Sequence, residues 1–213
     1  MAKHRTVSGE RFVPLISERR LRIRVKQLAR RISKDFRGRV PVFIGVLNGS
    51  FIFFADLVRE LSIPCEIDFL KLSSYGDAKI SSGNVRLLKD LNCAVEGRDI
   101  VIVEDIVDSG LSMRYILELV GSHHPRSLRV VTLLYKPDSV QSGFVPDYVG
   151  FSIPPEFVIG YGLDYAQRER NLRAIYRRVP PTGTAEESEP ATVRIGATRA
   201  RSDIIDQTVQ AHS

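Results

Sequence analysis

From Pro41 to Leu47 the chain reads Pro-Val-Phe-Ile-Gly-Val-Leu, an apolar run suited to a strand buried on both faces. Comparable runs recur at Cys65–Leu72, Ile100–Val103 and Ser127–Tyr135, with shorter ones at Tyr148–Phe151 and Phe157–Ile159. Between them the spacing of apolar positions shifts to the helical period. Leu21, Val25, Leu28, Ala29, Ile32 and Phe36 follow the helix start at Ser17-Glu18. Phe51 to Leu61 predicts a second helix, broken by Pro64, and Met113, Ile116, Leu117 and Val120 predict a third. Strand–helix alternation through short turns predicts an α/β fold with a parallel sheet.

In such sheets ligands bind beyond the carboxyl ends of the strands. The turns at Asn48–Ser50, Asp105–Ser112, Lys136–Asp138 and Gly160–Asp164 all belong on that edge, which predicts one shared site. Two stretches break the pattern. Residues 73–99 are rich in Ser, Gly, Asn and Lys, with a short alternation at Val85–Leu88 that suits a hairpin strand; a loop this long is usually functional or disordered. Beyond Leu172–Val179 the composition turns to Pro, Thr, Gly, Ala, Glu and Ser, and 180–213 reads as a flexible tail.

With 213 residues, 43% of them hydrophobic, one core plus appendages is expected. No apolar run approaches the roughly 20 residues of a membrane span, and the start, Met-Ala-Lys-His-Arg-Thr, lacks a signal-peptide core. Cys65 and Cys93 stand apart without a CxxC pattern, as expected of reduced thiols in a cytoplasmic protein. The net charge of +6 concentrates in residues 19–39 and 168–178, which suits either nucleic acid or a strongly anionic small substrate. His123-His124 has no acidic neighbour to complete a metal site.

The chemistry concentrates in residues 100–113, Ile-Val-Ile-Val-Glu-Asp-Ile-Val-Asp-Ser-Gly-Leu-Ser-Met. The apolar strand stops at Glu104 and Asp105, Asp108 follows, and Ser109, Gly110 and Ser112 lead into a helix. Amides at such a helix start hold phosphate, and the carboxylates hold sugar hydroxyls or Mg²⁺. The pattern is neither a P-loop nor a dinucleotide fingerprint.

It resembles the phosphoribosyl-diphosphate (PRPP) signature of the type I phosphoribosyltransferases, and the resemblance spans about residues 8–179. The family implies a mostly parallel sheet flanked by helices, with a small hood subdomain. The domain would occupy residues 1–179 and the tail 180–213. The further motifs are similar to the hypoxanthine-guanine branch, implying Mg²⁺-dependent purine salvage from PRPP to hypoxanthine or guanine. By resemblance, Glu104 and Asp105 hold ribose hydroxyls or metal and Asp108 is the general base. Ser109, Gly110, Leu111 and Ser112 donate to the 5′-phosphate. Leu47-Asn48-Gly49 resembles the diphosphate loop, implying a non-proline cis bond at Leu47–Asn48. Many members have Lys where Asn48 stands, so the backbone must bind there. Arg170 would grip diphosphate and Asp164 would ligate Mg²⁺. Lys136 would donate to the purine's exocyclic oxygen, Phe157 would stack on the base, and Val158 would offer backbone groups. Ser73-Ser74-Tyr75-Gly76 resembles the start of a mobile lid, with Ser74 and Tyr75 at its working end.

The family also implies a homodimer or homotetramer and no membrane, and the purine motifs weigh against a nucleic-acid partner. Two alternatives share the fold: a nucleotide-sensing RNA-binding regulator, which resembles the uracil branch instead, and a phosphoribosyltransferase preferring xanthine.

Overall fold

A computed structural model describes residues 4–74, 85–140, 143–180 and 192–196. Its core is a seven-stranded sheet. In chain order its strands are β3 (Val42–Leu47), β4 (Glu66–Ser74), β5 (Val85–Lys89), β6 (Asp99–Val107), β7 (Ser127–Tyr135), β8 (Tyr148–Ser152) and β11 (Arg194–Ile195). They lie in the order β11-β8-β7-β6-β3-β4-β5. The five inner strands run parallel, and the edges β5 and β11 pair antiparallel with β4 and β8. From β3 the chain moves outward to β4; from β6 it moves the other way to β7 and β8. The topological switch point therefore falls between β3 and β6, where such sheets bind ligands.

Alternation along each strand divides the core between two layers. Phe43, Val101, Val103, Val131 and Leu133 face helices α1 (Glu18–Asp35) and α2 (Phe51–Arg59). Val42, Ile44, Ile100, Ile102 and Val130 face α3 (Leu111–Gly121) through Met113, Ile116 and Val120. Helix α1 begins as the sequence predicts: the Ser17 hydroxyl accepts from the Arg20 N–H at 3.4 Å, and the predicted apolar positions are buried.

A second, four-stranded antiparallel sheet forms the hood. It contains β1 (Arg5–Val7), β2 (Glu10–Ile16), β9 (Val158–Ile159) and β10 (Ile175–Val179) in the order β1-β2-β10-β9. Val7, Phe12, Ile159, Leu172, Ala174 and Tyr176 make its own small core. The first two strands have no counterpart among the periodic segments of the sequence.

Three expectations change. Strand β6 does not stop at Glu104 and Asp105; it continues to Val107, because β7 still offers partners opposite, pairing Glu104 with Thr132, Ile106 with Leu134 and Val107 with Tyr135. Strand β4 runs to Ser74, so Ser74 ends a strand instead of opening a loop, because β5 pairs with it up to Ser74–Val85. Tyr75 lies outside the described residues. Of the segment read as a tail, residues 181–191 and 197–213 lie outside the described residues, but Arg194–Ile195 adds a strand to β8.

Candidate active site

Asp105, Gly49 and Gly162 are stacked on one another at the switch point. Any Cβ on Gly49 would overlap the Asp105 carboxylate, and any Cβ on Gly162 would overlap the Gly49 carbonyl oxygen. Gly162 also has φ +106°, a conformation that side chains disfavour. Thus the end of β6, the turn after β3 and the loop after β9 meet at van der Waals distance only because two of the three residues are glycine. These are the turns that the sequence places on one edge.

The turn after β3 has the expected non-proline cis bond at Leu47–Asn48. Ser50 is buried and its hydroxyl donates to the Val46 carbonyl at 2.5 Å, while its own carbonyl accepts from Phe54 N–H at 2.7 Å. The turn is thereby tied both to β3 and to the helix that follows it.

At the end of β6, the Asp105 carboxylate accepts from the Ile106 N–H at 2.9 Å. Glu104 keeps some solvent contact, yet burial of its carboxyl, and secondarily the adjacent Asp105 charge, push its pKa well above the usual carboxylate range. Gly110 adopts φ +82° at the start of α3, and the Ser109 hydroxyl accepts from Leu111 N–H at 3.4 Å. The first-turn amides of α3 have no acceptors within the helix, so Ser112, and Leu111 once it gives up its long bond to Ser109, can offer donors to an anion.

Asp108 and Lys136 are paired. The Lys136 ammonium lies 2.6 Å from Asp108 Oδ2, and the Lys136 backbone N–H donates to Val107 O at 3.0 Å. Lys136 is only 7% exposed, whereas the Asp108 side chain is more than half open. The two residues assigned separately, to proton transfer and to base selection, thus form one unit. Asp164 and Arg170 are joined in the same way: Arg170 Nη2 lies 2.8 Å from Asp164 Oδ1, and its Nη1 donates to Gly162 O at 2.8 Å. That guanidinium therefore sits on the glycine that covers Gly49.

Phe157 lies just before β9, with its carbonyl accepting from Arg178 N–H at 2.9 Å. Its ring is 41% exposed, unusual for a large apolar side chain beside a core. Tyr165 meets it edge-on at 5.9 Å and Phe12 at 6.4 Å, and the Arg178 guanidinium lies 5.4 Å from its centroid. Val158 is buried in β9, opposite Arg177.

Three supporting interactions escaped the sequence reading. The Tyr161 hydroxyl donates to Asp56 at 2.6 Å, fastening the loop after β9 to α2. Burial, reinforced by that carboxylate, raises the Tyr161 pKa. Phe12, from the hood's second strand, backs Phe157. Asp68 on β4 accepts from Lys89 of β5 at 3.1 Å and from the backbone N–H groups of Asn92 and Cys93 at 2.6 and 3.0 Å, anchoring the hairpin below the segment expected to be a lid. Asp56 falls in the predicted second helix and Tyr161 in the Gly160–Asp164 turn, but nothing in one sequence pairs residues so far apart.

No group of three or more His, Cys, Asp or Glu side chains among the described residues is arranged to hold a metal ion. Mg²⁺ takes oxygen ligands and usually uses one or two carboxylates plus substrate phosphates, so a preformed cage is not required. Glu104 and Asp105, adjacent carboxylates beside the turn after β3, suit that mode.

Comparison with known proteins agrees with this geometry. The family model described as the phosphoribosyl transferase domain matches residues 16–166. The hypoxanthine-guanine phosphoribosyltransferase of Bacillus subtilis is 46% identical over 158 residues, covering 74% of this chain and 88% of the relative. The hypoxanthine phosphoribosyltransferase of Salmonella typhimurium is 44% identical over 160 residues, covering 74% and 90%. A similar match to the bifunctional TilS/HprT protein of Listeria innocua, 46% over 158 residues, spans only 24% of that protein's length. Among solved structures, a hypoxanthine-guanine phosphoribosyltransferase from Bacillus anthracis, with HEPES in its active site, superimposes with a TM-score of 0.76 at 44% identity, over 78% of this chain and 98% of that one. The chain belongs to the type I phosphoribosyltransferase family, in its hypoxanthine-guanine branch.

Proposed function

We infer that this protein transfers the 5-phosphoribosyl group of PRPP to hypoxanthine or guanine, giving the nucleotide and diphosphate. The observation that carries the reading is the meeting of Asp105, Gly49 and Gly162 at the switch point, in a chain whose hypoxanthine-guanine relatives are about this similar over most of their length.

In the reaction the bond from the anomeric carbon to diphosphate breaks, and a bond to a purine nitrogen forms. Positive charge develops on the sugar and negative charge on the departing diphosphate, so catalysis rests on positioning and preorganised electrostatics. Glu104 and Asp105 take the ribose hydroxyls. The amides and hydroxyls of Ser109, Gly110, Leu111 and Ser112 take the 5′-phosphate. Leu47, Asn48 and Gly49 present backbone to the diphosphate, and Arg170 adds positive charge to it. Phe157 stacks on the base, Val158 meets its edge through backbone, and Lys136 donates to the exocyclic oxygen. Asp108 accepts the proton released from the imidazole ring of the purine, a role worth on the order of 10²–10⁴-fold in rate. The Lys136–Asp108 pair supports this division: a base that brings an acceptor to Lys136 draws the ammonium from Asp108 and frees a carboxylate oxygen.

Glu104, Asp105 and Asp164, together with substrate oxygens, would hold Mg²⁺, which would neutralise diphosphate charge when bound. By the family resemblance Ser74 and Tyr75 would act in a lid whose closure keeps water from the sugar cation. Assembly as a homodimer or homotetramer follows from the family resemblance and is read by light scattering. A cytoplasmic location fits the two free thiols, and no helix among the described residues is long and apolar enough to cross a membrane.

Diphosphate release tests the proposal. Release should require PRPP, Mg²⁺ and an oxopurine, stop with EDTA and be far slower with adenine. Preference for xanthine, or RNA binding at moderate salt without any turnover, would favour the alternatives on this fold.

A further inference from the structure

The outer edge of β8 is occupied by a segment from outside the matched family domain. That domain match ends at residue 166, yet Arg194 and Ile195 pair antiparallel with Ser152 and Phe151, and Gly196 N–H donates to Gly150 O at 3.2 Å. Arg24, half-buried on α1, closes the arrangement from the side. Its Nε donates to Gly150 O at 2.8 Å, and its Nη2 donates to both Val149 O and Gly196 O at 2.7 Å. A single guanidinium therefore joins the edge strand and the added segment, and its fork suits several carbonyls at once.

We propose that the β8 edge and Arg24 form a peptide-binding groove, and that its resident ligand is the chain's own segment 192–196, bound by strand addition. The groove has two features of that recognition mode: main-chain pairing along a strand edge and an apolar anchor, Val193, set against the core. Val193 packs on the core of the α1/α2 layer, while Arg194 and Ile195 point to solvent. Gly196 is selected by space, since a Cβ there would strike the Val149 side chain and lie 2.6 Å from its carbonyl oxygen. With so few ladder bonds the segment is a detachable strap, held by its tether more than by affinity. Its work is to cover a strand edge that would otherwise pair with other chains.

The test uses the full chain carrying Gly196→Val, which disfavours the bound segment and touches no residue of the catalytic site. Hydrogen exchange should speed up by about tenfold at the β8 amides that face the segment, while residues 42–47 and 99–107 keep wild-type protection and purine transfer stays within about twofold. A synthetic peptide of residues 190–198, at about millimolar concentration to match the tether, should restore slow exchange; the same peptide carrying Gly196→Val should not. Val193→Ser, which removes the apolar anchor, should act in the same direction. Unchanged β8 exchange in both variants, no effect of the wild-type peptide, or loss of protection spreading through β3 and β6 would each overturn the proposal.

Discussion

The Lys136 ammonium and the Asp108 carboxylate lie 2.6 Å apart, with the lysine almost fully buried and the aspartate open to the site. Burying an ammonium is costly unless it is paired, so Asp108 is what allows Lys136 to be buried at this edge of the sheet. In the reaction proposed above, an incoming oxopurine would replace that partner with its carbonyl; adenine, which presents an amino group there, would not. On that proposal, base selection and release of the proton acceptor are one event.

Asp108→Asn should separate binding from chemistry. The amide remains a neighbour for Lys136 but is a far poorer proton acceptor. Turnover with hypoxanthine should fall by about 10²-fold or more, while PRPP affinity by calorimetry stays within a few-fold of wild type. Equal turnover would remove Asp108 from the proton transfer.

Lys136→Ala should erode selectivity rather than abolish activity. A donor facing the wrong group leaves both unpaired, so its removal should shrink the ratio of kcat/KM for hypoxanthine over adenine by roughly 10- to 100-fold. Competition between the two bases at fixed PRPP measures this directly. An unchanged ratio would move selection to the backbone around Val158.

Asp68 should set part of the acid stability. Burial alone would raise its pKa, but hydrogen bonds from the Phe69, Asn92 and Cys93 backbone and from Lys89 outweigh it and pull the carboxyl down to about 2. A depressed acid contributes stability above its unfolded pKa, and that contribution is lost as pH falls toward the folded value. The contribution is about 2 kcal/mol at neutral pH, lost between roughly pH 4 and pH 2. Asp68→Asn should therefore lower urea stability at pH 7 and flatten its dependence across that window. An unchanged profile would show that the hairpin base is held by other contacts.

Much of this site was legible because its parts are short turns after apolar strands. The Asn48–Ser50 and Asp108–Ser112 turns announce themselves through Gly, Ser and carboxylates where a strand pattern gives way to a helical one. The hood's first two strands were not legible, because Pro14 interrupts the alternation of β2 and proline argues against a strand interior. The structure accommodates it opposite Tyr176, where β10 shifts register. The end of β6 was misplaced for a related reason: acids end an apolar run, but β7 continues the ladder past them. The pairings of Lys136 with Asp108, Arg170 with Asp164 and Tyr161 with Asp56 could not be read at all, since each joins side chains whose meeting depends on the fold.

The stacking of Gly49 on Asp105 is the most direct point of attack. Gly49→Ala adds one methyl group where only the Asp105 carboxylate has room, so it should displace that carboxylate while leaving the two core layers untouched. Calorimetric titration with PRPP and Mg²⁺ should show affinity reduced on the order of 10²-fold, with the melting temperature within a few degrees of wild type. Wild-type PRPP affinity in a folded Gly49→Ala protein would contradict the claim that the β3 turn and the β6 carboxylates form one PRPP site.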